Sequence, residues 1–179
     1  MQKIKVDFTD YLKSTLKFMS RHGLLLTSIN REGKINVMTI GWGTIGIIWD
    51  KPIFVVLVRP SRFTYNFIKN TGVFTVNVPS ERMIEAVSFC GTVSGRDYNK
   101  FKEKGLTPLP GKKVGSPLIK ECLVHYECKV VHKNVIIPQE LTPSISSLFY
   151  PENDYHNIFF GEIMATYASD RAKDSLRNF

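Results

Sequence analysis

The spacing of apolar residues divides the chain into strands punctuated by short helices. Leu12, Leu16 and Met19 recur at helical intervals within Asp10 to Met19, with Thr9 as N-cap and Gly23 past the end, predicting an opening amphipathic helix. Leu24 to Ile29 and Ile35 to Ile40 flank the polar loop Asn30-Arg31-Glu32-Gly33-Lys34, the pattern of a hairpin. Further strands are predicted over Thr44 to Trp49, Ile53 to Arg59 and Val73 to Val78. Ser61 caps a predicted helix from Arg62 to Asn70, which Gly72 terminates. Glu81 to Phe89 and Asp97 to Lys104 read as short helices around a tight loop, Cys90-Gly91-Thr92-Val93-Ser94-Gly95-Arg96. Two long strands close the pattern. In the first, Cys122, Val124, Tyr126, Cys128 and Val130 share one face, and Leu123, His125, Glu127 and Lys129 the other; the second runs from His156 to Tyr167. Between them, Asn134 to Tyr155 carries Pro138, Pro143 and Pro151, which predicts an ordered loop over a site or interface rather than a regular element.

About seven strands with hairpin links and few helices point to a mainly β fold, an antiparallel barrel or sandwich, because successive parallel strands need crossover helices. A β-barrel with appended short helices is the expected architecture. The 179 residues, 43% of them hydrophobic, predict one folded domain over residues 1–179. Apolar runs such as Ile53 to Val58 are far short of the roughly 20 residues of a membrane span, and Met1 to Asp7 lacks the core of a secretory signal. A cytoplasmic location is therefore expected. Three cysteines fit that compartment as reduced thiols: Cys122 and Cys128, six residues apart in one strand, would stand about 20 Å from each other and cannot pair.

Charge sharpens the picture. Twenty-four Lys and Arg against sixteen Asp and Glu leave a net +8, which attracts phosphorylated ligands, nucleic acid or anionic surfaces. Between Lys51 and Ser80 the cations Lys51, Arg59, Arg62 and Lys69 stand without a single carboxylate. Elsewhere bases and acids are mixed, with no long basic tract of the kind nucleic-acid arms use.

Gly41-Trp42-Gly43-Thr44-Ile45-Gly46 matches the dinucleotide pattern G-x-G-x-x-G, but Ile47-Ile48-Trp49-Asp50-Lys51-Pro52 follows in place of a helix. Glycines in such a strand admit either a flat ligand close to the backbone or a bulge at a barrel corner. Arg59-Pro60-Ser61-Arg62-Phe63-Thr64-Tyr65 joins a turn, a helix N-terminus, a hydroxyl and two guanidiniums, a combination suited to a phosphate and equally to an ordinary capped surface helix. Ser94-Gly95-Arg96-Asp97 resembles a second anion-holding turn, and Lys100, one helical turn after Asp97, can face the same ligand or solvent. His125 and His132 project from opposite strand faces, which argues against joint metal ligation, and no zinc pattern is present. The thiols form no C-x-x-C, and Cys90 is the one in the predicted loop.

Taken in order, Asn36-Val37-Met38-Thr39-Ile40-Gly41-Trp42-Gly43, Arg59 to Thr64, Phe74-Thr75-Val76-Asn77-Val78-Pro79 and Cys90 to Asp97 with Lys100-Phe101 resemble the flavin reductase-like family, nearest to flavoredoxins. His156-Asn157-Ile158-Phe159-Phe160-Gly161-Glu162-Ile163 is similar to that family's last core strand. The resemblance implies a Greek-key split β-barrel that binds FMN near the interface of a homodimer. Carried over, Asn36, Met38, Thr39, Trp42, Gly43 and Thr44 would border the flavin, Ser61, Arg62 and Tyr65 would hold its phosphate, and Cys90, Ser94, Gly95, Arg96 and Lys100 would close the pocket. His156 is a candidate for binding the electron donor. Where family members that use NAD(P)H often carry Gly-Asp-His, this chain has Asp154-Tyr155-His156.

The expected function is an FMN-dependent oxidoreductase that takes electrons from NADH, NADPH or a redox partner protein and passes them to flavin, metal or another carrier. A non-enzymatic FMN electron carrier is the alternative. A nucleic-acid-binding barrel and an unrelated barrel with another phosphate ligand are more distant; neither nucleic acid nor a membrane is an expected partner.

Overall fold

In a computed structural model describing residues 3–177, β1 (Lys3–Val6) leads into α1 (Leu12–Arg21), and the predicted hairpin follows as β2 (Leu24–Ile29) and β3 (Ile35–Ile40). Gly33 takes φ 82° in the connecting loop, where Asn30 Oδ1 accepts from the amides of Glu32 and Lys34. The second hairpin pairs β4 (Gly43–Ile48) with β5 (Lys51–Val58). Its two-residue turn is made by Trp49 and Asp50 at φ 55° and 54°, a left-handed pair accomplished without glycine. The G-x-G-x-x-G stretch is thus part of a hairpin and opens no helix.

Helix α2 (Phe63–Thr71) ends at Gly72 in the left-handed conformation and delivers the chain to β6 (Val73–Val78). A 3-10 turn at Glu81–Met83 precedes α3 (Ile84–Thr92), then come α4 (Lys100–Glu103) and the small pair β7 (Pro108–Leu109) and β8 (Leu118–Ile119). The long strands are β9 (Val124–Val135) and β10 (Asn157–Ser169), with α5 (Pro143–Phe149) between them and α6 (Ala172–Ser175) at the end.

All ladders are antiparallel and run in the order β3-β2-β6-β9-β10-β5-β4, with β1 joining β10 beyond β5. β3, at one end of that order, comes alongside β5 near the other, so the sheet curls back on itself. Alternation along β2 separates two cores: Leu24 and Leu26 join Phe54, Phe74, Tyr126 and Phe159 inside the curl, whereas Leu25 packs outward with Val87, Cys90, Phe101 and Ile119 beneath α3. No helix among the described residues is long and apolar enough to cross a membrane. All three cysteines are free and buried.

Several boundaries differ from the sequence expectation. Thr9 does not cap α1; its hydroxyl turns back to Asp7 Oδ1 at 2.6 Å. Arg62, not Ser61, occupies the N-cap of α2, because the Ser61 hydroxyl donates to Asp154 Oδ2 at 2.5 Å. Cys90 and Gly91 lie in α3 rather than in a loop: a Cβ on Gly91 would stand 3.2 Å from Thr39 Cβ, so the missing side chain lets the helix lie directly on β3. The helix expected over Asp97 to Lys104 shrinks to α4, because Ser94 O takes the Asp97 and Tyr98 amides into a turn and Asn99 becomes the cap. Finally, Asn134 to Tyr155 holds regular structure after all. β9 extends through Val135, and Pro143 starts α5, where its missing amide proton has no cost.

Candidate functional site

β3 is an edge strand, so alternate backbone groups along its outer side have no ladder partner. The N-terminus of α2 and the C-terminal half of α3 with its following turn border that edge, and together they enclose a cavity of about 120 Å³. Asn36, Met38, Thr39, Ser61, Arg62, Cys90, Ser94, Gly95, Arg96 and Lys100 all line it. A second cavity of about 210 Å³ shares Met38, Thr39 and Arg62 with the first and continues past Gly41 and Trp42 to Arg59 and His156. The two therefore form one cleft along β3.

Close packing sets the wall of the smaller cavity. A Cβ on Gly95 would fall 2.1 Å from Asn36 Oδ1, so only glycine admits the turn against that amide. Asn36 is fixed in turn by donating through Nδ2 to Thr64 Oγ1 at 2.7 Å, and the Thr39 hydroxyl donates to Val87 O on α3. Phe63 and Thr64, the first residues of α2, line this space, and no side chain caps the helix, since its N-cap is an arginine that has no acceptor to offer.

Four cations face the cleft. Lys100 is 4% exposed and donates to Cys90 O at 2.8 Å; burial, assisted by the nearby charge of Arg62, holds its pKa below the ordinary value. Arg96 donates to Ser61 O at 3.2 Å and lies over the Phe63 ring, 5.3 Å from its centroid. Arg59 donates to Phe149 O at 2.9 Å and stacks over Tyr150. Ion pairs among the described residues join Lys51 to Glu162 and Lys104 to Glu85, so none of these four is paired with a carboxylate. Asp154, near His156, is engaged by the Ser61 hydroxyl. Cys90 is no nucleophile: burial pushes its thiol up to about 11.

At the far end, Trp42 meets Phe149 edge-on at 5.1 Å and the His156 ring at 4.9 Å, centroid to centroid. His156 Nδ1 hydrogen-bonds the Tyr150 hydroxyl at 2.9 Å. Burial, then the positive charge of Arg59, depresses His156 to about 4, with Asp154 opposing. The proline-bearing segment thus lies against Trp42, where the sequence placed a loop over a site or interface.

Three expected residues sit outside the shared lining. Tyr65 faces β10, donating to Asn157 Oδ1 at 3.2 Å and packing on Phe159, so it does not line either cavity. Thr44 stands exposed on β4, opposite Val55. Gly43 is required by its neighbour strand, since a Cβ there would meet Val55 O at 2.5 Å, whereas Gly41 has open space where a ligand can approach the backbone. Arg59, one of the two guanidiniums of the turn read as suited to a phosphate, lines the ring end of the cleft instead, and Leu57, Phe63 and Thr64 line the cleft although the sequence reading did not carry them over as ligands. The carboxylate-free stretch around Arg59 was the available signal.

Comparison with known proteins gives this cleft a family. A flavin reductase like domain model matches residues 16–178. The chain is 35% identical over 141 residues to an uncharacterised protein of Archaeoglobus fulgidus, covering 79% of this chain and 70% of that one. It is 33% identical over 138 residues to one of Pyrococcus abyssi, covering 75% and 67%. The flavoredoxin structure of Desulfovibrio vulgaris (Miyazaki F) superposes with a TM-score of 0.66 at 27% identity, covering 83% of this chain and 69% of that one. That of Methanosarcina acetivorans gives 0.65 at 27%, covering 96% and 77%. The fold is the split barrel of these proteins, and the chain belongs to the flavin reductase like domain family.

Proposed function

We propose that the cleft binds FMN, with the phosphate in the smaller cavity and the ring along β3 toward Trp42, and that the protein is an FMN-dependent oxidoreductase. The observation that carries this reading is the buried Lys100 ammonium, beside Arg62 and the uncapped start of α2, all lining one cavity with no carboxylate paired to either cation. An unpaired buried cation is expensive, and a phosphate dianion supplies the missing charge while accepting from the helix amides. The donor set therefore fits the group.

When bound, the flavin supplies the electron-transfer chemistry. The chain's part is to orient and to set charge. Arg59 and Arg62 place positive charge along the ring cavity, which favours negative charge accumulating there on reduction. His156 lines the same cavity, its Nδ1 bonded to the Tyr150 hydroxyl and its pKa lowered by burial to about 4, which leaves Nε2 as the ring's free polar atom. Trp42 packs edge-on against Phe149 and Tyr150 at this end.

NADH, NADPH or a redox partner protein serves as donor in this proposal, and the protein works as a homodimer. A pure electron carrier is the second reading, favoured by the apolar surface beside the ring cavity, where Leu148 is 70% exposed next to Phe149. Stopped-flow mixing of the FMN-loaded protein with NADH and NADPH separates the two. Rapid bleaching of bound flavin supports the reductase, and indifference to both supports the carrier.

A further inference from the structure

Two contacts tie the turn between β5 and α2 to the segment that precedes β10. Arg59 donates to Phe149 O at 2.9 Å, and the Ser61 hydroxyl donates to Asp154 Oδ2 at 2.5 Å. Ser61 lines the cavity assigned to the phosphate, whereas Asp154 lines neither cavity of the cleft. We propose that Asp154 is an internal stand-in for the phosphate: it latches residues 149–156 in place in the ligand-free protein, and an arriving phosphate takes Ser61 from it and releases the segment. The inference rests on the flavin reading of the cleft and concerns how that site is gated.

The exchange follows from the chemistry of a hydroxyl. Ser61 has one proton to donate, and a carboxylate and a phosphate dianion both only accept, so its bond to one excludes its bond to the other. Close approach of the two anions adds repulsion. Little else holds the Asp154 side chain: ion pairs among the described residues join Lys51 to Glu162 and Lys104 to Glu85, and Ser61 supplies the hydrogen bond that Asp154 accepts. Ser61 can change partner without moving the chain. Its carbonyl accepts from Arg96 Nη1 at 3.2 Å, which fixes the backbone while the side chain rotates.

Release at Asp154 reaches the other end of the cleft. Asp154 is two residues from His156, which lines the ring cavity. Tyr150 binds the segment together: its hydroxyl hydrogen-bonds His156 Nδ1 at 2.9 Å, and its ring stacks on Tyr155 with centroids 4.8 Å apart. Tyr150 and His156 also pack against Trp42. Filling the phosphate cavity therefore loosens the wall of the ring cavity, so that flavin binding and access for an electron donor or acceptor are coupled through one side chain.

Hydrogen–deuterium exchange of the flavin-free full chain, in inorganic phosphate and in chloride of matched ionic strength, reads the latch; titrations with FMN and riboflavin read its effect on binding. Phosphate is expected to speed exchange over residues 150–156 at least threefold. Asp154→Ala is expected to exchange at the faster rate without phosphate and to bind FMN at least threefold tighter, with riboflavin affinity unchanged. Ser61→Ala breaks the same bond from the other side; it is expected to speed exchange equally but to gain no FMN affinity, because it also loses a phosphate contact. Exchange that neither phosphate nor Asp154→Ala alters overturns the inference even where the variant binds FMN tighter, since Asp154 then acts only as a remote negative charge. Riboflavin tightening as much as FMN overturns it as well, because the effect then does not run through the phosphate. In both cases FMN binding by the parent leaves the site assignment standing, whereas binding of neither flavin by the parent overturns that assignment along with the latch.

Discussion

The Lys100 ammonium donates to the Cys90 carbonyl at 2.8 Å while almost fully buried, with Arg62 close enough to depress its pKa further. One neutral acceptor does not offset the desolvation of a cation, so the ligand-free protein carries a penalty that a bound anion relieves. Replacement of Lys100 by methionine separates the two roles. Its urea midpoint is expected to equal or exceed that of the parent, while FMN affinity falls at least tenfold, as measured by denaturation and flavin titration on the same preparation.

Arg62 stands at the junction of both cavities. Arg62→Ala removes a charge-assisted phosphate bond and is expected to weaken FMN binding by about 1.5–3 kcal/mol, with the fold intact. An unchanged dissociation constant removes Arg62 from the site.

Gly95→Ala tests the wall. Its Cβ would sit 2.1 Å from Asn36 Oδ1, so Asn36 must leave its bond to Thr64. A destabilisation of about 1–3 kcal/mol is expected from the overpacking, accompanied by loss of flavin affinity. Gly33→Ala is the contrasting control: nothing stands within 4 Å of its Cβ, so its loss comes from the φ of 82° alone and leaves flavin binding in place.

Two histidines make stability depend on pH in one direction. Burial holds His125 well below its ordinary value of 6.5, with Lys3 adding to the effect, and His156 is lowered to about 4. The unfolded chain therefore binds more protons than the folded one between about pH 6.5 and 4, and stability falls as pH drops through that window. Urea midpoints at pH 7 and pH 5 should show this fall. His156→Gln should reduce its slope, because His125, inside the sheet against Asn77 Oδ1 at 2.8 Å, retains its share.

Local patterns in the sequence encode much of this fold. The hairpin of β2 and β3 follows from alternation around a glycine-bearing polar loop, and Gly72 ends α2 as its position implies. What could not be read locally depends on contacts between distant segments. Ser61 is drawn from capping by Asp154, 93 positions away, and Asn36 finds Thr64 across 28. Gly91 reads as a loop residue until Thr39 is seen pressed against it. In the proline-rich stretch the sequence is ambiguous by itself, since Pro143 marks a helix start as readily as a loop. The cluster of candidate ligands was legible as a family pattern, whereas Tyr65 faces β10 because its position on α2 turns it toward Asn157 and Phe159.

The most direct measurement is equilibrium titration of the flavin-free chain with FMN, followed by flavin fluorescence and visible absorbance, with riboflavin in parallel. Saturable binding of one FMN per chain, with riboflavin bound at least tenfold more weakly for want of the phosphate, is the predicted result. Failure to bind FMN, or equal affinity for riboflavin, contradicts the assignment of the cavity beside Lys100 and Arg62 to the phosphate.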